Sequence, residues 1–318
     1  MPRLINADKP HLWKTDIAAS VDQFNQWFMR FAPEAFRSTH IETIEHVKAT
    51  LLATRDLRNI DAATLKDNPS VLSMLRMCTA PPLAVDRLIG LAGVSKNLVG
   101  RMEDGKLPTK MNAAELGAEL TKLCSILSRL LDRDIFPWLD AAKDPTDHER
   151  NRASTIVAGR SCSDVAKDSA SSERKMQQLS VLSMYLDSRG YREILTPGKC
   201  YYTPSEPGTY TFFATIPAAM GKYAFLPVDA LIQPKVQRAD GRPVLVQCES
   251  YGSFPQARRH CGVHRETWRG LQMTYGDDVP FALMLCGHFG GGYLGTLAAD
   301  GMDWVWQHRL ADLVRLGV

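Results

Sequence analysis

The sequence predicts an α+β or α/β fold, with a helical N-terminal region followed by a sheet that carries helices on its faces. Three observations predict it. Apolar residues recur every three or four positions through residues 1–142, the period of a helix face. Beyond residue 200 the pattern turns to short aromatic and branched runs, as in strands. Helical stretches alternate with those runs, which places helices on the faces of the sheet.

In the first region, Trp13, Ile17, Val21, Phe24, Phe28 and Phe31 form one oily stripe, with Asp16 and Ser20 off it. Leu116, Leu120, Leu123, Leu127 and Leu130 repeat the pattern before "DRDIFPWLD", where Pro137 is expected to stop the helix. Such stripes face the core of a helix bundle. Residues 143–172 are polar and read as a linker or connecting helix before a second domain, 173–318.

In that domain "SSERKMQQLSVLSMYLDSRGY" reads as a helix, with Ser172 as N-cap and Gly190 as the stop. "GTYTFFATIPA", "KYAFLPVDALIQPK" and "PVLVQCES" read as three strands, the last two joined by a turn at Asp240-Gly241. "PQARRHCGVHRETWRGLQMTYG" reads as a helix, "PFALMLCGHF" as a buried strand and "DGMDWVWQHRLADLVRLGV" as a terminal helix.

Composition narrows the class. The 318 residues are 45% hydrophobic and 23% charged, as in a soluble globular protein. Apolar runs fall far short of the ~20 residues that span a bilayer. The start lacks the apolar core of a secretion signal, so a cytoplasmic location is expected. Seven scattered cysteines with no CxxC pair argue against a disulfide framework. A net charge of +3 permits a nucleic-acid partner without demanding one.

The chemistry concentrates in "LPVDALIQPKVQRADGRPVLVQCES". If its two strands turn near residue 239, Asp229 falls opposite about Glu249, and Gln247 shares a face with Glu249. Two acids at one end of a hairpin make a hard oxygen site of the kind that suits Mg²⁺, and Gln247 adds a neutral carbonyl oxygen. Phosphodiester hydrolysis needs such a cation to neutralise the phosphate and acidify the attacking water. Both acids adjoin apolar sequence and have no obvious basic partner. Lys235 lies six strand residues from Asp229, roughly 20 Å away at ~3.3 Å each. Glu173 is a candidate third acid, with a plain surface Glu at a helix start as the alternative.

At these residues, and in "NADKPHLWKTDIAASVDQFNQWFMRFAP", "SVLSMLRMCTAPPLAVDRLIGLAGVSKNLVGRME", "DRDIFPWLD" and "LCGHFGGGYLGTLAADGMDWVWQHRLADL", the chain resembles the XamI family of type II restriction endonucleases. That family resembles the PD-(D/E)xK nucleases in its catalytic core. The resemblance implies a mixed-sheet nuclease core and Mg²⁺-dependent, site-specific cleavage of double-stranded DNA, and this chain's departure from the family pattern at Gln247 and Glu249 makes weaker metal affinity or use of Mn²⁺ the expectation. It also implies a homodimer in a bacterial cytoplasm, beside a companion DNA methyltransferase. Region 1–142 would serve DNA recognition or dimerisation. Asp229 takes the place of the metal-binding Asp, Gln247 stands where the pattern has Asp or Glu, and Glu249 where it has Lys. The alternative that this departure leaves open is a sequence-specific DNA-binding protein that keeps the fold without cleaving.

Two stretches are candidates to hold DNA. One follows the acids and supplies Ser250, Tyr251, Ser253, Arg258, Arg259, His260, His264 and Arg265. The other lies in the helical region and supplies Arg76, Arg87, Lys96, Asn97 and Arg101, where Arg suits guanine and Asn adenine. Structural ion pairs or a solvated helix face are the alternatives for both.

Overall fold

The computed structural model describes residues 4–141, 143–194, 202–203, 205–220, 223–236 and 241–318. Contacts divide the chain into two compact units, residues 33–169 on the one hand and residues 1–32 with 170–318 on the other.

The first unit is helical. It contains the end of α1 (Pro10–Ala53), then α2 (Ala62–Asp67), α3 (Val71–Met77), α4 (Val85–Ala92), α5 (Lys96–Glu103), α6 (Ala113–Leu130) and the start of α7 (Asp147–Ser188). Leu116, Leu120, Leu123 and Leu127 of α6 are buried in its core with Leu88, Leu98 and Met102. Pro137 does not end α6, which stops at Leu130. It opens a short 3₁₀ turn, Pro137–Leu139.

The second unit is built on one six-stranded mixed sheet. Its strands are β1 (Arg192–Glu193), β2 (Thr209–Met220), β3 (Tyr223–Gln233), β4 (Val244–Tyr251), β5 (Phe281–Gly287) and β6 (Trp304–Trp306), in that spatial order. β2, β3 and β4 run antiparallel in turn, while β4, β5 and β6 are parallel. Parallel neighbours need a crossover, supplied by α8 (Phe254–Tyr275) and α9 (Gly291–Ala299). The run "FALMLCG" is buried throughout, as expected for a strand covered on both faces. Leu245, Leu283 and Leu285 share one core with Ala257, Trp268 and Leu271 of α8. Val244, Val246, Ala282 and Met284 share the other with Leu179, Leu182 and Leu186 of α7.

Several expectations change. α7 is continuous from Asp147, so Ser172 lies within it and caps nothing. The helix starts instead at a capping box, in which Thr146 N–H donates to Glu149 Oε2 (2.7 Å) and Thr146 Oγ1 accepts from Glu149 N–H (3.3 Å). No proline and a single glycine follow before Ser188, so nothing breaks it. Gly190, with φ +72°, follows its end as expected. The terminal "helix" begins as strand β6, and residues Gln307–Leu316 are 3₁₀. Asp240, half of the expected turn, lies outside the described residues.

The first 32 residues belong with the sheet, and polar contacts explain why. Asp303 accepts from the backbone N–H groups of Ile5, Asn6 (2.8 Å), Ala7 (3.1 Å) and Trp304 (2.8 Å). Asp16 and Ser20, expected off the buried stripe, are buried. Arg309 donates to both oxygens of Asp16 (2.6 and 2.9 Å), and Ser20 Oγ accepts from Gly287 N–H (2.8 Å). Only glycine fits at 287: φ is +117°, and a Cβ there would lie 2.3 Å from the Tyr251 carbonyl oxygen.

Candidate active site

β3 changes its facing at Asp229. Leu226 and Val228 join the core shared with α8, whereas Ala230 and Ile232 join the core shared with α7. Regular alternation would put all four on one face. β2 does the same at the same level, with Ala214 and Ile216 in the first core and Tyr210 and Phe212 against the second. The pairs Phe212–Ala230 and Ala214–Val228 bracket Phe213 and Asp229, and Phe213 has φ +54°. A left-handed aromatic residue is uncommon in a strand, and such conformations cluster at functional sites.

The β3–β4 ladder pairs Ala230 with Val246, so Asp229 falls across from Gln247, two residues short of the expected Glu249. Asp229 is 6% exposed. Its Oδ2 accepts from Cys248 N–H (2.8 Å), and Lys175 Nζ donates to both oxygens (3.0 and 3.1 Å). The expectation that this acid lacks a basic partner is therefore corrected: the lysine comes from α7. Burial opposes the Lys175 charge, but Asp229 first and then Glu249 outweigh it and hold the ammonium above the ordinary lysine pKa. Lys235 is engaged elsewhere, donating to the Arg189 carbonyl (2.6 Å).

Why Lys175 stands there follows from the sequence of α7. Leu179, Leu182 and Leu186 lie four, seven and eleven residues on, along one helix face, and are buried against the sheet. Lys175 extends that row one turn before its first leucine. Gln178 donates to the carbonyls of Glu249 and Met284 (both 3.3 Å) and ties the same helix to β4 and β5. Glu173 does not join. It is exposed, and two helix positions from Lys175 put it on the other side of α7.

Glu249 is held by its neighbours. Tyr251 O–H donates to Glu249 Oε2 (2.6 Å), and His264 Nε2 lies 3.7 Å from the same oxygen. Burial pushes the Glu249 carboxyl above the usual range, and the Asp229 charge adds to it, against the Tyr251 hydrogen bond and Lys175. Burial, then His260, depresses His264 to about 4, so at neutral pH it is a neutral ring and no ion-pair partner. Gln247 Oε1 is buried and has no hydrogen-bond partner among the described residues. An unsatisfied buried carbonyl is costly unless something occupies it.

The expected DNA contacts separate into two groups. Ser250 accepts from Arg174 Nε (3.0 Å) and donates to the Cys286 carbonyl (2.8 Å); Tyr251 is buried on Glu249; Ser253 caps α8. Arg265 pairs with Asp300, and Arg76 forms a two-point pair with Glu103 (2.8 and 2.6 Å). These five are engaged in holding the fold. Arg258, Arg259, Arg87, Lys96 and Asn97 are exposed, and so is His260, which stacks on Tyr251.

The profile of the XamI restriction endonuclease family matches residues 55–306. This chain belongs to that family. The XamI-family chain is also 38% identical to the type II restriction enzyme SalI of Streptomyces albus G over 314 residues, which cover 99% of this chain and 100% of that enzyme. No solved structure matches it. It is a restriction endonuclease, a site-specific deoxyribonuclease. Enzymes of this type generally use a divalent metal ion. Asp229, Glu249 and Gln247 carry oxygen donors of the hard kind such an ion takes, although no group of three His, Cys, Asp or Glu side chains able to hold a metal occurs among the described residues.

Proposed function

We propose that this chain is a type II restriction endonuclease that hydrolyses double-stranded DNA at the Asp229–Glu249 end of the sheet, with Mg²⁺ as cofactor and Mn²⁺ able to replace it. The observation that carries the reading is Lys175 Nζ on both oxygens of Asp229, beside Glu249 and the unsatisfied oxygen of Gln247. The nuclease pattern asks for a lysine that β4 lacks, and α7 supplies one. Asp229, Glu249 and Gln247 would hold the ion, which when bound neutralises phosphate charge and acidifies water.

The chain's own residues do the rest. The Lys175 side chain is partly exposed while its ammonium is held by Asp229, which leaves it within reach of a phosphate in this reading. A fixed cation there offsets charge that builds on the phosphoryl oxygens. Glu249 is the proton acceptor, kept in orientation by Tyr251 and raised in pKa toward working pH. Arg258 and Arg259, exposed in the first turns of α8, would take DNA phosphates. The enzyme would act as a homodimer on a palindromic or near-palindromic site, in the bacterial cytoplasm, with a methyltransferase protecting host DNA. No described helix is long and apolar enough to cross a membrane.

The test is digestion of unmethylated phage DNA by the full chain in Mg²⁺ and separately in Mn²⁺, beside Asp229→Ala. Discrete fragments that vanish with Asp229→Ala are expected. Undiminished cutting by that variant sinks the proposal. Gel retardation of the DNA without cutting in either metal would favour the binding-only alternative.

A further inference from the structure

In the helical unit, α4 ends at Ala92 and α5 begins at Lys96, leaving three residues between them. Gly93 takes the left-handed conformation (φ +61°, ψ +43°) that turns the chain, and its N–H donates to the Ile89 carbonyl (2.9 Å). Ser95 caps α5, and its own N–H donates to Glu119 Oε2 of α6 (3.0 Å), which fixes the turn. Leu88, Val94, Leu98, Val99 and Met102 are buried on the inner side of the two helices. Arg76 clamps them from below, donating to the Leu83 carbonyl (2.5 Å) just before α4 and to Glu103 at the end of α5. Two short helices joined by a three-residue glycine turn have the connection found in a helix-turn-helix.

The outer side of α5 has a composition that its packing does not explain. Lys96, Asn97 and Gly100 are exposed and Arg101 is half-buried, all on the face opposite Leu98, Val99 and Met102. Among the described residues, none of Lys96, Asn97 and Arg101 makes a side-chain hydrogen bond or ion pair. Arg87 on α4 and Lys106 after α5 are exposed as well. The acids nearby are Asp86, Asp104 and Glu103, and Glu103 is already neutralised by Arg76. Gly100 is the telling residue. A glycine inside a helix is unfavourable, and a Cβ at 100 would meet nothing within 4 Å. Its surroundings do not require it, as they do not require Gly90 of α4 or Gly117 of α6, and on the basic face of α5 it leaves the backbone open to close approach.

We propose that α4 and α5 form a helix-turn-helix that reads base edges in the major groove of duplex DNA through Lys96, Asn97 and Arg101, with Gly100 permitting close approach. In this motif the second helix enters the groove by its N-terminal residues, where Lys96 and Asn97 stand, and the first crosses the backbone, where Arg87 stands. Asn pairs in bidentate fashion with adenine, and Lys or Arg with guanine. The inference rests on duplex DNA being the substrate and goes further by assigning sequence choice to the helical unit.

The experiment selects bound duplexes from a random library, using the full chain with Asp229→Ala so that nothing is cut. The same selection is run with Asn97→Ala, Lys96→Ala, Arg101→Ala or Gly100→Leu added. Asn97→Ala is expected to relax preference at one or two positions per half-site by about 10-fold or more. Gly100→Leu is expected to weaken binding with an unchanged or higher thermal midpoint, a result that no structural role for Gly100 would produce. Unaltered preference and affinity in all four overturn the proposal. A uniform loss across sequences also overturns it, since that marks phosphate contact only. The cleavage site is judged separately: full cutting activity in Asp229→Ala would sink that reading and leave the selection result standing.

Discussion

Two groups of buried carboxylates sit in the sheet unit and are treated differently. Around β6, Asp303 accepts from four backbone N–H groups, and Asp16 is gripped at both oxygens by Arg309. Each oxygen has its donors from within the fold. Around β3 and β4, Asp229 has one backbone donor and a lysine whose side chain is 38% exposed. Glu249 has a tyrosine and a neutral histidine beside it, and Gln247 Oε1 has no partner among the described residues. A satisfied buried acid ties chain segments together. Both oxygens of Asp229 have donors too, so the difference lies in its partly exposed lysine and in the Gln247 oxygen, which leaves valence for something that binds.

That contrast can be broken at either end. The largest effect is expected at Asp229: its alanine variant should lose at least about 100-fold in cleavage rate while keeping its fold, read by fragment assay and circular dichroism. Lys175→Ala should lose about 10- to 100-fold, and Lys175→Arg should not restore the rate, because a planar guanidinium does not replace a compact ammonium. Normal cutting by Lys175→Ala would break the comparison, since the pair would then be structural like Asp16–Arg309.

At the other end, Asp303→Ala strands four backbone N–H groups and should cost about 3 kcal/mol of stability or more, seen in urea unfolding, with activity per folded molecule unchanged. The smallest effect sharpens the picture at Glu249. Its folded pKa is raised, so with Glu249 as the proposed proton acceptor activity is expected to appear only as pH rises through that raised value. The Tyr251 hydrogen bond opposes the rise. Tyr251→Phe should therefore move the acidic limb of the kcat/KM profile to higher pH, and a limb that stays put or moves down refutes the assignment.

How much of this was legible in the sequence differs by residue. Asp229, Gln247 and Glu249 stood out because an acid in an apolar alternating run is conspicuous, and the hairpin that joins them is local. Their register was not legible: it depends on where pairing starts, and the ladder runs two residues off the symmetric turn. Lys175 was missed because it lies 54 residues before Asp229. One signal existed. It stands four residues before Leu179 on the same helix face, a charged end to an apolar row. Arg76 and Arg265 looked available for DNA because a sequence does not show Glu103 or Asp300 arriving from elsewhere in the chain.

The sequence by itself determined the helical and sheet-bearing parts, the three central strands, α8 and the buried strand β5, because hydrophobic period is a local property of the chain. It also carried the family resemblance. Only the tertiary structure decided that residues 1–32 belong to the sheet, that Asp229 faces a lysine from α7, and that Asp16 and Ser20 are buried. Those outcomes depend on partners hundreds of residues apart in places, and a polar group accepts burial only where folding delivers its partner.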